Sequence, residues 1–464
     1  MNLYQRQLLV LTAMAALIFS AGCSDRDPSS LPAARANTDP VVFLDFADST
    51  QLYWQPFSDT HYQALSVDEV WAYGGQASDG ARSLKFNISP QGSAQGLYTG
   101  GVVTAVGSRD LADYNALTFY ARATYPVTLN LAGFGNDNTG NSLYEAGRSS
   151  IALTTDWTFV VVPIPDSSKL LAERGLFTFA EGAEDAHPEG YDIWVDEIQY
   201  ANLSNIEVFR PIMTSASQSY FLGSTVAISG TRTIFQIDGG FVPVDHMSGY
   251  FDYTTTNAAV AVIEGSAVRV VGLGTATVNA MLGENPVQGA ITVTGYEAPT
   301  VGAAAPTLPA SDVISMFSGA YTNVPVDTWR TDWSQSGPVE DYVVAGETTK
   351  MYSALIYVGI DFQMHPIDAS QMTHLHMDVY APAGTNFKIK LGSFPTPPDG
   401  VETPDLVVDA TTTPAFNAGQ WSSLDIPLAD FLLPETGWDW AALGQMVLSG
   451  DTKLILVDNI YFHK

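Results

Sequence analysis

From Val41 onward the chain is a succession of short segments in which apolar residues alternate with polar ones or run continuously for four to eight positions. Residues 116–122, 127–131 and 159–163 are examples, and Gly, Asn, Asp or Pro bounds nearly every such segment. Helical spacing of apolar residues is almost absent. A period of two with dense turn residues predicts an all-β protein made of sandwiches.

The pattern also repeats. Trp157-x5-Pro163-Ile164 recurs as Trp421-x5-Pro427-Leu428. A terminal strand with a central Asp follows each, Trp194-Val195-Asp196-Glu197-Ile198 and Leu456-Val457-Asp458-Asn459-Ile460. Upstream stand Leu117-x-Phe119-x-Ala121 and Leu375-x-Met377-x-Val379, then Val127-x-Leu129-x-Leu131 and Phe387-x-Ile389-x-Leu391. Four anchors in one order predict that residues 41–202 and 312–464 are divergent copies of one jelly-roll sandwich. Residues 203–296 form a different β unit, and 297–311 are a Pro- and Ala-rich linker expected to hold the last module at a semi-rigid distance. A length of 464 residues suits about three domains.

The first 40 residues read as an address and a tether. Arg6, an apolar run over residues 8–19 and small residues 20–22 make a secretory signal over 1–22. Cys23 resembles the lipid-modified first residue left by a bacterial lipoprotein signal peptidase, and it is the chain's single cysteine, so no intrachain disulfide forms. That resemblance implies lipid anchorage, and Ser24 at the next position implies delivery to the outer membrane, with surface exposure expected. Residues 23–40 are small, polar and Pro-containing, the composition of a flexible tether. A formal charge of −30, from 19 basic and 49 acidic residues, makes nucleic acid a poor partner because phosphate binding needs a basic face.

Strand alternation points the remaining polar side chains away from the core. In the last module these are His374, His376, Asp378 and Tyr380 on one strand and Lys388 and Lys390 on the next; in the first they are Thr118, Tyr120, Arg122, Thr128 and Asn130. Each set is expected to form one polar stripe. With aromatic platforms, such a stripe suits sugar hydroxyls and C–H faces; a merely solvated sheet face is the competing explanation. Candidate platforms are Trp54, Trp71, Tyr73, Tyr98 and Tyr144 in the first module, and Trp329, Trp333, Tyr352 and Tyr357 in the last. The i, i+4 spacing of Trp329 and Trp333 also fits one inward face of a short helix. Trp157, Trp194 and Trp421 lie in apolar strands and are assigned to cores.

No pattern for catalysis is present: Gly-x-Ser-x-Gly, His-Glu-x-x-His, a P-loop and the Glu-x-Asp-x-x-Glu strand of sandwich glucanases are all missing. His374-x-His376 with Asp378 is formally a metal-ligand set but lacks a distant third ligand pattern. The chain is therefore expected not to be an enzyme.

With these residues in hand, both repeated modules resemble carbohydrate-binding modules of the galactose-binding-like jelly-roll type. The last, through Trp329, residues 374–379, 423–428 and 457–462, resembles the non-catalytic C-terminal module of family 16 laminarinases. Thr255-Thr256-Asn257, Val260-Ala261-Val262 and Gly272-x-Gly274-Thr275-Ala276-Thr277-Val278 resemble the bacterial Ig-like domain of group 2. The resemblance implies a polysaccharide ligand, of laminarin-type β-glucan, with neighbouring hydrolases or an outer-membrane importer as partners. It also implies a structural Ca²⁺ held by the closing-strand Asp196 and Asp458, with Asp45 contributing from the opening strand. An envelope adhesion protein and an unrecognised glycoside hydrolase or lyase are the competing classes.

Overall fold

The computed structural model describes residues 37–44, 52–57, 82–94 and 96–464. The signal segment, Cys23, Asp45, Trp71 and Tyr73 lie outside the described residues. Among the described residues, every regular element apart from short 3₁₀ turns is a β-strand. Among the described residues no helix is long and apolar enough to cross a membrane.

The first and last segments share one topology. In the first, Asp192–Ala201 is flanked by Val41–Phe43, Leu84–Asn87 and Ala116–Ala123, and the last of these pairs with Thr158–Pro163. In the last segment, Leu454–His463 is flanked in the same way by Val313–Phe317, Glu347–Ser353 and His374–Tyr380, and the last of these pairs with Trp421–Pro427. The second sheets also correspond. Tyr98–Arg109, Glu173–Gly182, Val127–Phe134 and Ala146–Leu153 stand in that order; so do Tyr357–Asp361, Leu443–Gly450, Asn386–Thr396 and Leu406–Asp409. Even a local irregularity is copied. After Asp196 and after Asp458 the ladder shifts, the next residue takes a positive φ (Glu197 48°, Asn459 47°), and its N–H donates back to the aspartate at 2.8 Å. The duplicated jelly roll is thus built into the backbone.

Period-two burial makes the cores. Leu117, Phe119 and Ala121, like Leu375, Met377 and Val379, are fully buried. One expected anchor differs: after Leu129 the strand changes parity, so Ala132 and Phe134 enter the core and Leu131 does not.

The middle segment is joined to both neighbours. Its Gly240–His246 strand, paired with Arg232–Ile237, adds to the first module's second sheet, with Asp245 opposite Gly147 and His246 opposite Ala146. One eight-stranded sheet therefore crosses residue 202. At the other side, Phe221 is buried against Tyr342 and Tyr380 of the last module, at ring distances of 5.3 and 6.3 Å, beside Leu454 and Leu456. Residues 297–311, expected to be a spacer, instead lie against the last module. Trp421 Nε1 donates to the Val301 carbonyl (2.8 Å), Asn459 Nδ2 to Ala304 (3.2 Å) and the Tyr321 hydroxyl to Leu308 (3.0 Å). Backbone carbonyls of a Pro-rich segment have no ladder partner of their own, so these side-chain donors fasten it.

Two glutamates are buried in the first module. Glu181, fully buried, accepts from the Tyr191 hydroxyl and from the Asn130 N–H (2.5 Å). Glu173, 9% exposed, has no hydrogen bond or ion pair among the described residues. Burial pushes both up to about 7; the Asp137 charge adds to the effect at Glu173, and the two donors oppose it at Glu181. A raised folded-state pKa means that the folded chain holds its proton more tightly than the unfolded one. The stabilisation is therefore complete below about 4.5 and lost as pH rises through about 7. Glu173→Gln keeps the neutral form at every pH. Its melting temperature is expected to match the parent's at pH 4.5 and to exceed it by a few degrees at pH 8, where up to ~3 kcal/mol is at stake. An equal offset at both pH values in differential scanning calorimetry contradicts this.

Candidate functional site

The second sheet of the last module presents an aromatic and polar outer face. Its platform is Trp333, which is 47% exposed. The loop carrying it is tied to the edge strand Tyr357–Asp361. Thr331 N–H donates to the Gly359 carbonyl (3.0 Å), Gly359 N–H to Ser334 Oγ (3.0 Å) and Gln335 N–H to the Tyr357 carbonyl (3.0 Å). Arg330 closes the same loop from within, donating to the carbonyls of Ser334, Ser336 and Gly337 at 3.1–3.3 Å. The indole lies over Gly359. A Cβ there would come within 2.2 Å of Trp333 Cη2, so only glycine admits the ring. Tyr357, two residues earlier on the same face, stands 6.1 Å from Trp333 at an interplanar angle of 30°.

Register completes the face. Tyr357 is opposite Ser449, which is opposite Lys388; Gly359 is opposite Val447, which is opposite Lys390; Asp361 is opposite Gln445, which is opposite Gly392. Lys388 and Lys390 are thus about 10 Å from the aromatic edge, two strand spacings away. Their ammonium groups are 3.7 Å from Asp405 and 3.2 Å from Glu402, surface pairs that hold the side chains only weakly. Rings on one side and hydrogen-bonding heads on the other, over a rigid sheet, are the chemistry that grips a polyhydroxylated ring by its C–H face and its hydroxyls.

The expected stripe of the last module does not form, because consecutive strands belong to opposite sheets. His376 and Asp378 lie on the other side of the sandwich from Lys388 and Lys390. There His376 stacks on Tyr461 at 4.5 Å and is 3.4 Å from Asp425, while buried Asp378 accepts from Asn459 Nδ2 (2.8 Å), which itself reaches the docked linker. Trp329 is no platform either. It packs on the core and edge-on to Phe317, its carbonyl bonded to buried Tyr352. No helix carries it and Trp333.

In the first module the candidates are dispersed. Trp54 is 6% exposed and packs on Phe86 at 5.2 Å, a core residue. Tyr120 packs on Phe159, and the Arg122 guanidinium lies 5.2 Å from the ring of Trp194 and 6.0 Å from that of Trp157, all outside the first sheet. Asn130 belongs to the second sheet, where its N–H binds Glu181 and its Oδ1 accepts from Gly182 N–H (3.0 Å). Of the tryptophans assigned to cores from sequence, Trp194 is buried, under Lys85 and Arg122, while Trp157 and Trp421 are partly buried outward residues beside Arg122 and the linker. Gly359, Asp361 and Gln445 escaped the sequence reading. The signal available was the glycine at an outward position between Tyr357 and Asp361.

Asp196 and Asp458 are both buried, each accepting from the N–H of its own bulge. Burial, with Asp378 and Glu347 nearby, pushes Asp458 up to about 6. Among the described residues no three His, Cys, Asp or Glu side chains are placed to hold a metal ion.

No family model matches the chain and no curated protein matches it. Among solved structures it is similar to a family 30 carbohydrate-binding module of a cellulosomal cellulase of Clostridium thermocellum, at 15% identity over 33% of this chain and 97% of that one, with a TM-score of 0.27. A β-1,2-glucanase from Parabacteroides distasonis is similar at 14% identity over 57% of this chain and 40% of that one, TM-score 0.26. SGBP-B from a complex xyloglucan utilization locus in Bacteroides uniformis is similar at 12% identity over 84% of this chain and 99% of that one, TM-score 0.20.

Proposed function

We propose that this is a non-catalytic lipoprotein of the outer membrane, held by acyl chains on Cys23, that binds polysaccharide at the cell surface for neighbouring hydrolases and importers. The observation that carries the reading is Trp333, exposed yet clamped over Gly359, with Tyr357 beside it and Lys388 and Lys390 across the sheet. A large exposed indole costs solvation unless a ligand covers it, and this one is pre-organised by four loop hydrogen bonds or more. The docked linker fixes the last module against the segment before it, and the shared sheet fixes the middle segment against the first module. A laminarin-type β-glucan is the first polymer to test.

In affinity electrophoresis of residues 24–464 on a polysaccharide panel, the parent is expected to be retarded by at least one glycan without releasing reducing sugar. Trp333→Ala is expected to lose about tenfold in affinity or more, corresponding to ~1.4 kcal/mol. Gly359→Val removes no ligand contact but evicts the indole, and is expected to lose as much with its melting temperature little changed. Unaltered retardation of both variants on every retained glycan sinks the site, and sugar release sinks the non-catalytic reading.

For the anchor, Cys23→Ser is expected to move the protein from the membrane pellet to the soluble fraction after cell disruption. Retention of that variant in the pellet contradicts lipid attachment at Cys23.

A further inference from the structure

The first module holds a pocket that the proposed site does not use. It has a volume of about 370 Å³, within the ~300–1,000 Å³ usual for small-molecule sites, and lies between the loops around residues 135–144 and 169–174. We propose that this pocket is a second ligand site, for one neutral sugar ring such as the end of a glycan chain, with Glu173 and Asp137 receiving its hydroxyls.

Glu173 carries the inference. Its side chain lines the pocket, nine-tenths buried, and meets no donor among the described residues. Its carboxyl oxygens open onto the pocket and gain no protein donor, so a hydroxyl that enters there meets an acceptor stripped of most of its hydration. Contrast Glu181 on the same strand, fully buried but satisfied by Tyr191 and Asn130. Asp137 faces the same pocket. Thr139 and Ser142 hold its Oδ1 at 2.6–3.2 Å, and its Oδ2 accepts nothing among the described residues.

The frame is rigid. Gly135 N–H donates to the Gly175 carbonyl (2.7 Å), and a Cβ at Gly175 would fall 2.1 Å from the Asn136 carbonyl oxygen. On the far side Lys169 is held by Asp252 of the middle segment at 2.7 Å.

The remaining lining decides the ligand class. Arg174 offsets one of the two carboxylates while Lys169 is engaged by Asp252, so the pocket repels a polyanion. Leu143 and Leu171, 66% and 61% exposed, form an apolar lip. Paired acceptors, donors and an apolar wall suit a neutral ring with hydroxyls at its rim and C–H groups on its face. This inference rests on the glycan-binding reading and adds a second point of attachment, which raises retention of one polymer through effective concentration.

The test uses residues 24–464 carrying Trp333→Ala, which silences the last module, titrated calorimetrically with laminaritriose, cellotriose and xylotriose. At least one trisaccharide is expected to bind. Adding Glu173→Gln or Leu171→Ala is expected to weaken that binding at least tenfold without lowering the melting temperature. The proposal is overturned if none of the three binds, if both added variants bind like their parent, or if calcium chloride alone titrates saturably in a Glu173-dependent way. Loss of trisaccharide binding with polymer retardation intact in the parent background separates failure of this pocket from failure of the Trp333 site.

Discussion

Each strand of the duplicated sandwich has one side for the core, and at the centre of each module the chain crosses from one sheet to the other between two successive strands. Everything placed on the surface depends on that pair of constraints. Ala116–Ala123 and Val127–Phe134 are separated by three residues, yet the first pairs with Asp192–Ala201 and the second with Glu173–Gly182. His374–Tyr380 and Asn386–Thr396 repeat this division. Two neighbouring strands therefore send their polar side chains to opposite sides of the module, some 10 Å of core apart.

The two outer faces have consequently taken different roles in the last module. The face outside Leu454–His463 is covered: Phe221 and the linker carbonyls seal Tyr380, Trp421 and Asn459. The face outside Asn386–Thr396 stays open and carries Trp333. Two tryptophans of similar sequence surroundings thus end differently, one with its Nε1 bonded to a backbone carbonyl at an interface, the other 47% exposed. A covered indole usually finds a partner for its N–H, as Trp421 does, whereas the open face leaves the Trp333 ring in water.

The duplication was legible because core anchors recur at period two and the closing strands repeat an aspartate at a shared bulge. Sheet membership was not legible. Alternation says which residues leave the core but not toward which side, and a short connection reads equally as a hairpin or as an arch between sheets. Hence Trp333 and the two lysines were found, while His376, Asp378 and Trp54 were placed on a face that they do not share. The parity change after Leu129 was equally invisible: no proline or glycine marks it, and it shows only where Glu181 takes the place of a ladder partner at Asn130.

Burial of acids separates structural from functional chemistry in the first module. Glu181 replaces a missing strand partner, accepting the Asn130 N–H where the ladder between Val127–Phe134 and Glu173–Gly182 stops at Leu131. Its cost in desolvation is offset inside the fold by that bond and by Tyr191. Glu173, at the other end of the same strand and opposite Arg109, has a side chain that accepts no donor among the described residues. The two share residue type and strand and differ in that Glu181 is sealed and satisfied while Glu173 opens onto the pocket unsatisfied. An acid whose burial weakens the fold at neutral pH, and which faces a cavity rather than a partner, is explained by what enters the cavity.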